Sequence, residues 1–141
     1  MNRNRLILVA IAALIIGGVA WRLFDKAPTS DIRTAGAPIV RITVPELSAE
    51  AKTGKAAFDT YCATCHGRDA AGQQGIAPPL IHKIYEPGHH SDASFFFAAQ
   101  QGVRAHHWPF GDMPAVDGIS DQEIGRIIVY VRTLQRANGI N

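Results

Sequence analysis

The sequence predicts an all-α domain of three to four helices, joined by long loops that wrap around a group other than protein. Two amphipathic helical patterns frame it, one beginning at Ser48 and one at Ser120. Between them runs a stretch rich in Gly, Pro and His with room for one short helix. At the end of the first pattern two cysteines and a histidine fall within five residues. With 141 residues and 47% hydrophobic content, the chain has the size and composition of one globular domain.

Residues 1–24 come first. Residues 6–20 are apolar and uncharged, preceded by Arg3 and Arg5, which is the form of an export segment. Gly18-Val19-Ala20 has the small-x-small pattern that a signal peptidase accepts. Trp21, Leu23 and Phe24, however, prolong the run to about 28 Å of helix, close to a hydrocarbon core of about 30 Å. The expectation is a retained transmembrane helix with Trp21 in the interfacial belt; a removed signal peptide, leaving a soluble periplasmic protein, is the alternative. By the positive-inside rule Arg3 and Arg5 stay in the cytoplasm, so the rest of the chain lies on the periplasmic side of a bacterial cytoplasmic membrane. The formal charge of +2 is concentrated at this end. From Ala27 onward ten basic residues face eleven acidic ones, a net charge of −1 that offers no field for nucleic acid.

Residues 25–47 read as a linker, interrupted by Pro28, Gly36, Pro38 and Pro45. Within it Ile39-Val40-Arg41-Ile42-Thr43-Val44 is apolar and β-branched, which suits a short strand or an extended strip laid over the domain as well as free linker.

The folded domain is expected over residues 48–141. Ser48 is an N-cap, Glu50 suits the positive end of the helix dipole, and Ala51, Gly54, Phe58 and Tyr61 follow along one face. This helix runs into Cys62-Ala63-Thr64-Cys65-His66. Two thiols and an imidazole at i, i+3 and i+4 share one helical face, and the pattern is the covalent attachment site of a c-type haem. Each thiol adds across a vinyl group, and His66 reaches the iron from one side. Zinc would need further ligands, since these are the only two cysteines, and no strand of a thioredoxin-like unit leads into the motif.

Residues 67–119 carry little regular structure, which is unusual in a compact domain. Ser91 or Asp92 caps a short helix through Phe95, Phe96 and Phe97 that stops at Gly102. A haem accounts for the rest by supplying the apolar centre that the loops lack. Leu80, Phe96 and Trp108 are expected to line its pocket, with Ile76, Phe95, Phe97, Val103 and Phe110 as further candidates. His89, His90, His106 and His107 read as exposed, unliganded loop residues.

Ser120-Asp121-Gln122-Glu123 is a capping box. Ile124, Ile127, Ile128, Val131 and Leu134 then face inward, while Arg126, Arg132, Gln135 and Arg136 take the outer side of a helix that ends before Gly139. Gly54 and Gly125 each cost about 1 kcal/mol relative to alanine, a cost that a close helix crossing offsets.

Over residues 48–137 the chain resembles the class I c-type cytochromes, specifically the small membrane-anchored bacterial members. The resemblance rests on Gly54-x-x-x-Phe58-x-x-Tyr61 running into the haem motif and Gly67, on Ile76-Ala77-Pro78-Pro79-Leu80, on Gly111-Asp112-Met113-Pro114, and on Ile127, Tyr130, Val131 and Leu134 of the last helix. It implies a cytochrome c fold whose first and last helices cross at Gly54 and Phe58. It also implies one haem c with His66 as proximal and Met113 as distal iron ligand, and a Pro78 carbonyl that accepts the other ring N–H of His66. Ala77 departs from the glycine often found before that proline.

The function implied is electron transfer rather than catalysis, by outer-sphere exchange in a respiratory or related electron transport chain. The implied donor is a quinol-oxidising cytochrome bc complex and the acceptor a terminal oxidase or other periplasmic oxidoreductase. Two alternatives are an electron-relay haem subunit of a larger oxidoreductase complex, and a haem peroxidase or gas sensor with a labile sixth position. Read from the residues alone, the sixth ligand is open between Met113 and the five histidines outside the motif. Met113 is the expectation, being the only methionine besides Met1 and lying on a loop stiffened by Pro114.

Overall fold

The computed structural model describes residues 35–141. The expected membrane segment and the first part of the linker lie outside them, and among the described residues no helix is long and apolar enough to cross a membrane. The domain is helical: α1 (Ala49–Tyr61), α2 (Ala63–His66), α3 (Asp92–Gln101) and α4 (Asp121–Ala137), with 3₁₀ turns at Arg68–Ala70 and Lys83–Tyr85. Among the described residues only isolated bridges of β type occur.

The start of α1 is set by the Ser48 side chain, which accepts a hydrogen bond from the Ala51 N–H at 3.2 Å. The start of α4 is set by the full capping box. Ser120 Oγ accepts from the Glu123 N–H, and Glu123 Oε2 accepts from the Ser120 N–H at 2.9 Å. Glu123 also accepts from the Tyr61 hydroxyl at 3.1 Å, which ties the end of α1 to the beginning of α4. The Ser120 hydroxyl and N–H hold the Glu123 carboxyl below the usual carboxylate range, while its bond to that carboxylate raises the Tyr61 hydroxyl.

The two helices cross with their backbones nearly touching. A Cβ placed on Gly54 would lie 2.0 Å from the Arg126 carbonyl oxygen and 3.0 Å from Tyr130 Cβ, whereas one on Gly125 would meet nothing. Gly54 is therefore required by the crossing, and Gly125 is incidental. Around this point Phe58, Ala70, Ile81, Ile127, Tyr130, Val131 and Leu134 form the core, with the Phe58 and Tyr130 rings 5.6 Å apart. The buried Tyr130 hydroxyl finds its partner in Asp69 Oδ1 at 2.9 Å.

The second half of the expected linker is an extended strip laid on the domain. The N–H groups of Ile39 and Val40 both donate to the Ala71 carbonyl. The Asn138 side chain brackets Thr43, accepting from its N–H and donating to its carbonyl at 2.9 Å each. Ile42 and Leu47 pack on the core. The β-branched run satisfies its backbone against a loop and the C-terminal end of α4 rather than in a sheet.

Burial is one-sided along the chain. None of residues 82–123 is buried, although they include all of α3 and several aromatic side chains.

Gly54→Ala should lose about 2 kcal/mol of stability, because overpacking against backbone outweighs the helix propensity gained. Gly125→Ala, facing open space, should gain a few tenths to about 1 kcal/mol. Denaturant unfolding of the two variants checks the contrast; equal effects would contradict the crossing.

Candidate haem-binding site

The side chains of the loop half surround a cavity of about 490 Å³, within the range of about 300–1,000 Å³ usual for cofactor sites. Its walls are mostly apolar. The motif contributes Cys62, Cys65 and His66, the next loop Ile76, Ala77, Pro78 and Leu80, helix α3 Phe95 and Ala98, and the following loop Trp108, Phe110 and Met113. An open depression between the first turns of α1 and α4, bordered by Glu50, Gln122, Gly125 and Arg126, contains none of these groups.

The motif is fixed by backbone geometry. The Cys62 N–H donates to the Phe58 carbonyl at 2.8 Å, and the N–H groups of Cys65 and His66 turn back onto the Cys62 carbonyl. One further helical turn therefore follows α1, presenting both thiols and the imidazole to the same cavity. Gln73 closes that turn, its amide donating to the carbonyls of Thr64 at 2.6 Å and Cys65 at 3.0 Å. Both cysteines are free. Burial first, and then the neighbouring Cys65, push the Cys62 thiol up to about 11 in the unmodified chain.

His66 is 7% exposed, and its Nδ1 lies 2.9 Å from the Pro78 carbonyl oxygen. The carbonyl can only accept, so Nδ1 carries the proton and Nε2 keeps its lone pair. Burial lowers the pKa of His66 against the opposing pull of that bond, which keeps the ring neutral as a metal ligand must be. Ala77 fits in place of the expected glycine: it is buried, has no positive φ, and its carbonyl accepts from the Gln73 N–H at 2.9 Å.

Met113 is held by its backbone. Its N–H and carbonyl pair with those of Val103 at 2.9 Å each. Gly102, at φ 75°, allows this approach, since a Cβ there would lie 2.5 Å from the Met113 carbonyl oxygen. The Val116 N–H donates to the Ala99 carbonyl at 2.8 Å, tying the same loop to α3.

Pro78, Leu80 and Trp108 line the cavity, and Phe96 does not. Helix α3 turns Phe95 and Ala98 inward, one position around from Phe96, while Phe97 is 55% exposed. Three consecutive phenylalanines have no periodicity from which to choose a face; Phe95 is the one that packs against the core, with the Arg132 guanidinium 4.8 Å from its ring centroid.

Arg132 and Gln135 are the second correction, because both are buried rather than outward-facing. The Arg132 guanidinium donates to Asp92 Oδ1, to the carbonyls of Tyr85 and His90, and to Gln135 Oε1. The Gln135 amide donates to the carbonyls of Leu80 and Tyr85 at 2.9 and 3.0 Å. Together they satisfy otherwise unpaired carbonyls of the cavity-forming loop. With Gln73, these are the site residues that sequence reasoning missed. A long polar side chain at one step off an apolar stripe is the signal they leave.

The site fits a porphyrin carrying acidic side groups. The Trp108 Nε1 is the one buried side-chain polar atom without a hydrogen-bond partner among the described residues, a donor waiting for an acceptor. The Tyr85 hydroxyl is near it but not in bonding geometry: burial raises that hydroxyl, and the indole N–H works against the rise. An apolar slot with two thiols, a neutral imidazole and an unpaired indole donor matches the donor set of haem c.

Comparison with known proteins agrees. The cytochrome c family model matches residues 51–135, so the chain belongs to the cytochrome c family. That membership implies covalently bound haem c, with Cys62, Cys65 and His66 in the attachment position. The chain is 31% identical over 134 residues to the cytochrome bc1 complex cytochrome c subunit of Mycobacterium bovis, and equally to that of two strains of Mycobacterium tuberculosis. The match covers 94% of this chain and 40% of those relatives, so the chain spans about two-fifths of their length.

Proposed function

We propose that this haem protein is a membrane-tethered electron carrier of a bacterial respiratory chain, with His66 and Met113 as the two axial ligands of its iron. The observation that carries the reading is the single apolar cavity that joins both cysteines and His66 to Met113, with each proposed ligand fixed by backbone hydrogen bonds.

The haem, when bound, supplies a one-electron iron couple, and the protein sets its potential and access. His66 would hold the iron through Nε2 as a neutral imidazole, its tautomer fixed by the Pro78 carbonyl. Met113 offers a neutral, soft thioether, which favours the reduced state. The apolar walls exclude water and resist charge, and so work in the same direction. Were His66 and Met113 both to hold the iron, no position would be left for a substrate, and the chain's part would be to bind the haem and keep water from it. Two features support Met113 over His106 and His107: it is half-buried and pinned to Val103, whereas both of those histidines are exposed.

The strip is hydrogen-bonded to the domain from Gly36 onward, so residues 25–35 alone separate the haem domain from the proposed membrane helix of residues 6–24. Eleven residues reach at most about 40 Å, which keeps the domain beside membrane partners on the periplasmic side. A quinol-oxidising cytochrome bc complex suits the donor and a terminal oxidase the acceptor. The likeness to cytochrome c subunits of cytochrome bc1 complexes favours a second reading, a relay subunit held permanently in a bc1-type complex.

Two outcomes follow. In the holoprotein, Met113→Ala should abolish the thioether-to-iron absorption, lower the reduction potential, admit exogenous imidazole or carbon monoxide and produce weak peroxidase activity. Unchanged absorption would assign the sixth position to another residue, and ligand binding by the unmutated protein would favour the peroxidase or gas-sensor reading. Salt-washed membranes should retain the full chain; mature protein beginning at Trp21 would overturn the tether.

A further inference from the structure

We propose that His89, His90 and His107 form a second metal site, for a divalent transition-metal ion of the zinc and copper type, separate from the ligands of the haem iron. The three residues come from two loops, His89 and His90 ahead of α3 and His107 after it. The fold nevertheless brings one ring nitrogen from each within 4.8 Å of the others. The ring centroids stand 4.7 Å apart for His89 and His90, 5.4 Å for His89 and His107, and 5.3 Å for His90 and His107. Read in sequence these are exposed loop histidines; their convergence is a product of the tertiary fold.

The site is built around one anchored ligand. His90 is half-buried, and its Nδ1 lies 2.6 Å from the Ile84 carbonyl oxygen. A carbonyl only accepts, so Nδ1–H donates and the free lone pair belongs to Nε2, the arrangement by which metal-bound imidazoles are held in their tautomer. The backbone beneath it is fixed as well. The N–H groups of His89 and His90 donate to the Glu86 carbonyl at 3.0 and 2.8 Å, and the His90 carbonyl accepts from the buried guanidinium of Arg132. His89 and His107 are exposed and free to turn.

A tetrahedral ion with metal–nitrogen bonds of about 2.0–2.1 Å holds its ligands about 3.4 Å apart. The proposed site requires the two exposed rings to turn so that a spread of up to 4.8 Å closes to that value. Three imidazole nitrogens with no carboxylate or thiolate among them suit zinc or copper and not calcium or magnesium, which take oxygen ligands. Three protein ligands also leave the fourth position open to water or another donor. His90 and His107 border the haem cavity, so the ion would sit at its rim.

The test uses the full-length holoprotein without a histidine tag, titrated with zinc chloride by calorimetry, with zinc-edge X-ray absorption on the loaded sample. One zinc per chain is expected, with at least three nitrogen neighbours at about 2.0–2.1 Å. His89→Ala/His107→Ala should weaken binding by more than about 100-fold, since outer partners of such ligands alone are worth about 10–100-fold. His89→Gln/His107→Gln keeps side-chain bulk and should do the same, and the thioether-to-iron absorption of both variants should persist. Absence of stoichiometric zinc, or undiminished binding in the variants, would overturn the proposal. A new axial ligand at the iron in those variants, read from the ligand-field bands, would overturn it too, because it would mean that a histidine of this cluster serves the iron; the Met113→Ala result reports on the distal ligand independently.

Discussion

Folding half of this domain around a cavity, with no buried residue between positions 82 and 123, is the constraint on which the rest of the structure depends. The peptide core lies where α1 and α4 cross, and it is small. A loop half with so few apolar contacts of its own cannot offset the conformational entropy of ordering it. The missing burial has to come from the group in the cavity. Phe95, Trp108, Phe110 and Met113 are only partly covered for this reason: each presents one side to protein and the other to the haem space.

What the protein does supply in this half is hydrogen bonding. Arg132 and Gln135 reach from α4 to the carbonyls of Leu80, Tyr85 and His90, Val103 pairs with Met113, and Val116 pairs with Ala99. These bonds define the walls without filling the space between them. On the other side, the chain of causes starts at Gly54. The close crossing fixes α1, α1 fixes the turn that presents Cys62, Cys65 and His66, Gln73 closes that turn, and Pro78 orients the imidazole. The placement of the cavity walls is thus inherited from the α1–α4 half of the fold on the His66 side and from a two-bond backbone pairing on the Met113 side.

Much of this was legible in the sequence because it is carried by local signals. The caps at Ser48 and Ser120, the apolar stripe of α4, the special place of Gly54 and the haem motif are each written within a few neighbouring residues. The face of α3 was not legible: Phe95, Phe96 and Phe97 are equivalent until packing against the core selects one. The burial of Arg132 and Gln135 was hidden for the same reason, since their loop partners, three carbonyls and the Asp92 carboxylate, lie 40 to 55 residues away. The strip over residues 39–44 was ambiguous because its hydrogen-bond partners, Ala71 and Asn138, lie in distant parts of the chain. Convergence of His89 and His90 with His107 likewise has no local signature.

Amide hydrogen exchange, compared between the holoprotein and a haem-free Cys62→Ala/Cys65→Ala chain, tests the central claim most directly. If the haem supplies the missing burial, amides in residues 82–123 are protected in the holoprotein and exchange at once in the haem-free chain, with α1 and α4 retaining the larger share of any residual protection. Equal protection of residues 82–123 in both forms would contradict the account, because the loop half would then be stable without its cofactor.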